Sequence, residues 1–214
     1  MDIAQRRVSD ELDTATQRLI DEARIITGPD LRAPSLLPGW SRAHVLAHLA
    51  RGADAMRNLL IGARAGQDRP AYASAGARAA DIDMSAAAGA KELVEDLAAS
   101  AMALRTVARQ LPDEAWRYQL RVLNGSRFPA SQLLTRRLAE VELHHCDLGI
   151  GYGHDQWSAA FAAMELDEPM RSQRAERLGY SQPESVRARS MARKTPPYQP
   201  GQPLPGSWIG RRRA

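Results

Sequence analysis

Apolar residues recur three and four positions apart over four stretches of the chain, the spacing that turns one side of an α-helix toward a core. Residues 3–26 carry Ile3, Val8, Leu12, Thr16, Leu19 and Ile26 near this spacing. Thr27-Gly28-Pro29-Asp30 breaks the pattern, and a loop follows through Pro34, Pro38 and Gly39. Ser41 is placed to cap a second helix that runs to residue 65 and closes at Gly66, with Leu46, Leu49, Ala53, Met56 and Leu60 on its inner side. A third helix spans 90–110 through Leu93, Val94, Leu97, Met102, Leu104 and Val107. Pro129 opens the fourth, over 129–148, and Gly149 ends it. Between the third and fourth, Pro112-Asp113-Glu114 starts a short helical turn. Trp116, Tyr118, Leu120 and Val122 then alternate with polar residues up to Asn124-Gly125, the pattern of a hairpin or an extended linker.

Four substantial helices make the expected fold all-α, a four-helix bundle with a short irregular or hairpin segment. Gly149-Ile150-Gly151-Tyr152-Gly153 follows a helix and not a strand, so it reads as a helix stop and not as a dinucleotide-binding loop. From residue 166 the periodicity fades. Seven of the 13 prolines fall after it, and Pro196-Pro197, Pro200, Pro203 and Pro205 cannot sit inside a helix. The expected organisation is a helix-bundle domain over 1–155 and a largely irregular region over 156–214 whose tail is disordered.

Composition changes this picture little: 214 residues, 44% hydrophobic and 25% charged, are ordinary for a soluble protein. The net charge of +4 is unevenly spread, at −2 over residues 1–165 and +6 over 166–214. The body therefore carries no extended phosphate-binding face, and nucleic-acid binding through the basic tail ranks last among the functions considered. A single cysteine, Cys146, excludes an internal disulfide and agrees with a reducing compartment. The first seven residues, Met1 to Arg7, lead into no apolar signal core, and no stretch approaches the ~20 apolar residues of a membrane span. The expected location is cytoplasmic, with no membrane partner. The oligomeric state is unknown from the sequence.

The chemistry concentrates on two helices. Glu140 and His144 stand four apart on the fourth helix, so both project from one face about a turn apart. His44 and His48 share that spacing on the second helix; at ~100° per residue His48 flanks the apolar stripe, while His44 points outward. If the two helices pack together, His48, Glu140 and His144 form a three-ligand site with one open position, the donor set of catalytic zinc. The alternative is an exposed Glu140–His144 pair contributing about 0.2–0.5 kcal/mol to its helix. His145 lies near the apolar stripe, as a packed core histidine or a group behind the ligands. Glu142 lies off the stripe and is expected in solvent, His154 sits in a loop, and Cys146 points away from the Glu140–His144 face.

Leu37-Pro38-Gly39-Trp40-Ser41 followed by Ala47-His48-Leu49-Ala50 resembles the N-terminal signature of the mycothiol-dependent maleylpyruvate isomerase family, relatives of the DinB-like bundles. Tyr72-Ala73-Ser74 with Arg78-Ala79-Ala80-Asp81 is similar to later motifs of that family, as is Arg137-Leu138-Ala139-Glu140 leading to His144-His145-Cys146-Asp147. The likeness keeps their order from residue 10 to residue 163.

The resemblance implies a divalent metal, zinc, on His48, Glu140 and His144, and mycothiol as the thiol cofactor. Zinc coordination removes a thiol's proton and presents the thiolate. In the reaction the resemblance implies, that thiolate adds to the cis double bond of maleylpyruvate, the resulting single bond rotates, and elimination releases fumarylpyruvate. A guanidinium suits the carboxylates of such a dicarboxylate substrate. Arg78, in a family-like motif, is the candidate; the alternative is one more surface arginine. Two further readings use the same metal site: a mycothiol S-transferase acting on electrophiles, and a non-catalytic metal-binding bundle. The family usually continues into a smaller C-terminal α/β domain that helps form the pocket. Here Gln156 to Ala163 is still family-like and the sequence then departs, so the expected C-terminal region is a truncated or altered one, without which the metal site can outlast the isomerase activity.

Overall fold

Several helices begin where a side chain can take up backbone N–H groups that a first turn leaves unpaired. In the computed structural model, which describes residues 1–179, α1 (Ile3–Arg24) starts at Asp2, whose carboxylate accepts from the Gln5 N–H while the Gln5 amide accepts from the Asp2 N–H. The short α2 (Gly28–Arg32) is capped by Thr27. α3 (Arg42–Ala65) starts at Ser41 and stops at Gly66, whose φ of 66° is one that glycine adopts without strain. α4 (Ala75–Ala86) is capped by Ser74, and α5 (Ala90–Arg109) follows directly. β1 (Gln119–Arg121) and β2 (Arg127–Pro129) pair antiparallel with Leu120 opposite Phe128. A 3₁₀ turn then leads into α6 (Leu133–Asp147), followed by α7 (Ala159–Ala162) and α8 (Met170–Leu178).

α1, α3, α5 and α6 form the bundle: α3 packs on α5 and α6, and α1 on α6 and α5. Leu19 of α1, Leu46, Leu49 and Leu60 of α3, Leu97 of α5 and Leu138 of α6 are fully buried in one core, each worth about 1.5–3 kcal/mol of transfer free energy. α6 is the central helix. α1, α3 and α8 all pack against it, and every residue from Arg137 to Asp147 is buried. A helix covered on three sides has no solvent face, so its polar residues must find partners inside.

The all-α architecture agrees with the periodicity, and the four expected helices correspond to α1, α3, α5 and α6, although α6 begins at Leu133 and not at Pro129, which ends β2. Three further features differ. α4 falls in an alanine-rich stretch that buries only Arg78 and Ile82, too few anchors to show a period. α7 and α8 occupy part of the region expected to be irregular; α8 docks on α6 through Met170, Gln173 and Arg177, and a helix held by a buried arginine carries no apolar stripe. Ile3, at the head of the first expected stripe, is 66% exposed, while Gln5 in the same turn is buried. The expected disorder of the tail concerns residues 180–214, outside the described residues. Among the described residues no helix is long and apolar enough to cross a membrane.

Candidate metal centre

His48 of α3 meets Glu140 and His144 of α6 inside the bundle. The Nε2 atoms of the two histidines are 3.2 Å apart, with the rings edge to face at 82°, and His48 Nε2 is 3.4 Å from Glu140 Oε1. All three side chains are buried. The approach depends on Gly52, one turn beyond His48. A Cβ there would lie 3.0 Å from Glu140 Oε1, 3.1 Å from Oε2 and 3.2 Å from Arg137 Nη1, so glycine leaves the carboxylate its space.

The remaining atoms of these side chains are held from behind. Arg137 Nη1 donates to Glu140 Oε2 at 2.8 Å, while Glu140 Oε1 is buried without a hydrogen-bond partner among the described residues. His144 Nδ1 lies 2.8 Å from Asp147 Oδ2; its N–H donates to that carboxylate, which turns the Nε2 lone pair into the centre. Asp147 is gripped by Arg177, Nε to Oδ1 at 3.1 Å and Nη2 to Oδ2 at 2.7 Å. Burial works against the charge on Asp147, but the His144 bond and the Arg177 charge outweigh it and hold the carboxyl below its usual range. Burial, reinforced by His144, Arg78 and Arg137, keeps His48 well below its ordinary value, so the ring is neutral. Neutral imidazole is the form that ligates metals.

Two imidazole nitrogens and one carboxylate oxygen are a zinc donor set. The orphaned Glu140 Oε1 is a group that a cation would satisfy; left unpaired, a buried acceptor costs about 1–3 kcal/mol. As they stand, no three His, Cys, Asp or Glu side chains among the described residues are disposed to hold one ion. Arg78 also opposes the ligating form of His48. Its Nη2 is 3.1 Å from His48 Nδ1, and a guanidinium can only donate. That leaves the neutral His48 ring with its proton on Nε2, bonded to His144 Nε2. A ligating His48 keeps its proton on Nδ1 instead, which the Arg78 contact disfavours. The donor types and their burial suit a metal.

Arg78 is itself buried, with its guanidinium 5.7 Å from the Tyr72 ring centre, so it is not a surface arginine. Tyr72 is pushed up to about 12, chiefly by burial, and keeps its proton. Trp40 sets its ring edge to face with His48 at 5.5 Å, closing that side.

The other singled-out residues do not join the centre. His44 stays at the start of α3 with Nδ1 2.6 Å from Ser41 Oγ. His145 points to the far side of α6, stacked on Tyr152 and bonded to Glu22 at 2.9 Å; burial pushes it down to about 3. Cys146 is buried, and burial with the nearby Asp147 charge pushes its thiol up to about 12. Glu142 corrects the expectation of a solvated residue: it is buried, and its Oε2 accepts from the Tyr152 hydroxyl at 2.5 Å. Sequence reasoning gave no role to Gly52, Arg137, Asp147 or Arg177. The His144-x-x-Asp147 spacing was a readable signal for one of them; nothing local marks Arg177.

A family model described as the mycothiol maleylpyruvate isomerase N-terminal domain matches residues 12–149. The chain is similar to a solved mycothiol-dependent maleylpyruvate isomerase at 26% identity and a TM-score of 0.70, with 73% of this chain and 65% of that one covered. A histidine-to-alanine mutant of that isomerase matches at 25% identity, with the same TM-score and coverage. This chain thus spans about two thirds of the length of the solved structures it matches. No curated protein matches it.

Proposed function

The chain belongs to the mycothiol maleylpyruvate isomerase N-terminal domain family, and from that premise we propose that it is a metal- and mycothiol-dependent isomerase that converts maleylpyruvate to fumarylpyruvate. The observation that carries the reading is the meeting of His48 Nε2, His144 Nε2 and the unpartnered Glu140 Oε1 in one buried place. A zinc ion held there would acidify a coordinated thiol, the group whose sulfur adds to and leaves the double bond in thiol-dependent cis–trans isomerisation.

The chain's own residues prepare this chemistry. Asp147 fixes the His144 ring with its proton on Nδ1. Arg137 occupies Glu140 Oε2 and leaves Oε1 to the centre. Arg78 has two roles that exclude each other. When its Nη2 lies on His48 Nδ1 it opposes the ligating tautomer, and when released it presents a buried guanidinium to a substrate carboxylate. Trp40 and Tyr72 shield the site and keep water from competing for these groups. The domain over 1–155 is proposed as the metal-binding unit, with the region 156–214 appended to it.

Metal content of protein purified without added metal tests the reading. Near one zinc per chain is expected in the wild type and little in His48→Ala, Glu140→Ala or His144→Ala, each with helix content retained. Thiol-dependent turnover of maleylpyruvate comes next, with Arg78→Gln raising KM at least about tenfold through loss of a charged hydrogen bond. Wild type that takes up no zinc even when supplied sinks the catalytic reading. A mycothiol S-transferase would use the same ligands, so only substrate trials separate it from the isomerase. Turnover of an electrophile but not of maleylpyruvate would select it.

A further inference from the structure

Arg177 lies in α8, beyond the stretch that matches the family model, yet it reaches the back of the metal centre. It is 2% exposed, and the Asp147 it grips is fully buried. The guanidinium forks onto both carboxylate oxygens, at 3.1 and 2.7 Å. One of those oxygens, Oδ2, is also the acceptor for His144 Nδ1. The groups run in line from Arg177 through Asp147 to His144 and end at Nε2 in the centre.

Docking of α8 does not by itself account for this pair. α8 has an apolar anchor in buried Met170, and Arg174 ties it to the Phe161 and Met164 carbonyls at 2.9 and 2.7 Å. A buried ion pair is a poor means of attaching a helix, since desolvation offsets most of the attraction. It is a good means of fixing an orientation, because a forked guanidinium allows a carboxylate one plane.

We propose that Arg177 is a positioning residue for the metal centre: by clamping Asp147 it fixes the His144 ring with its proton on Nδ1 and its Nε2 facing His48 and Glu140. α8 thereby completes a site whose ligands lie on α3 and α6. The inference rests on the metal reading proposed above, and its test separates the two.

The full-length chain, labelled with ¹⁵N at histidine and stripped with a chelator, reports the His144 tautomer through two-bond ¹⁵N–¹H correlations. The expected result is an Nδ1–H pattern in the wild type and its loss or averaging in Arg177→Met. Zinc affinity, measured by chelator competition, is expected to fall about 10–100-fold in that variant. Met170→Ala, which loosens α8 without touching Asp147, leaves both readouts at wild-type values. If Arg177→Met does not fold, Arg177→Lys is read the same way, its single ammonium giving an affinity below wild type. Wild-type tautomer and wild-type zinc affinity in the Arg177 variant overturn the proposal, whatever its melting temperature. If the wild type takes up no zinc, the metal reading fails, and the tautomer alone decides whether Arg177 positions His144.

Discussion

Glu140 and Glu142 stand two apart on α6 and meet opposite surroundings. Glu140 shares one oxygen with Arg137 and turns the other toward His48. Glu142 is buried against the Tyr152 hydroxyl, and burial raises its carboxyl above the ordinary value while that hydrogen bond pulls the other way. A carboxyl raised in the folded state holds its proton more tightly there than in the unfolded chain. Stability therefore falls as pH rises from the unfolded value of 4.5 through the folded one, and the full cost persists above it. Glu142→Gln, which still accepts from Tyr152, is expected to raise the melting temperature at pH 7 by a few degrees, on a scale of about 2–4 °C per kcal/mol. The gain should vanish below pH 4.5, where the wild-type carboxyl is neutral in both states. Thermal melts of the two proteins at several pH values check this; an equal gain at pH 3 and pH 7 would mean that the charge is not the cause.

At the scale of elements, the site depends on how closely α3 approaches α6. Gly52 permits that approach, and alanine there sets helix propensity against packing. Alanine favours a helix interior by about 1 kcal/mol, but its Cβ would stand 3.0 Å from Glu140 Oε1. Gly52→Ala is expected to keep its helix content by circular dichroism while zinc affinity drops about tenfold, or 1.4 kcal/mol. Unchanged zinc affinity would show that the carboxylate moves aside without consequence. The helices that sequence reasoning found are those with an apolar stripe. α6 also has one, but it is covered on several sides, so a wheel that sorts inside from outside misplaced Glu142.

For the whole molecule, a ligand that binds the folded chain and not the unfolded one stabilises it by mass action, by about 2.7 kcal/mol at a hundred times its Kd. Zinc at that excess should raise the melting temperature by about 5–10 °C at 2–4 °C per kcal/mol, and His144→Ala should abolish the rise. A rise of equal size in His144→Ala would place the ion elsewhere. The family-matched stretch ends at residue 149, but the packing does not: α8 returns to α6 and closes the back of the centre. Three arginines of the C-terminal region are paired within the described residues, and one of them reaches the centre. Arg171 pairs with Glu168, Arg174 with backbone carbonyls and Arg177 with Asp147.

The sequence by itself determined four of the helices, their caps at Ser41 and Gly66, and the sharing of one face by Glu140 and His144. Each of these is settled within a few residues, by backbone hydrogen bonding and a period of 3.6. Its motifs also carried the family, because they keep their order along the chain. Only the tertiary structure decided that His48 meets His144 across 96 positions, that Gly52 makes the room, that Arg78 occupies His48 Nδ1, and that Arg177 stands behind Asp147. These contacts join residues far apart in the chain, and local propensity carries no information about which helix face will meet which. Packing chooses among the possible pairings, and the pairing it chose turns two histidines and a carboxylate toward one another.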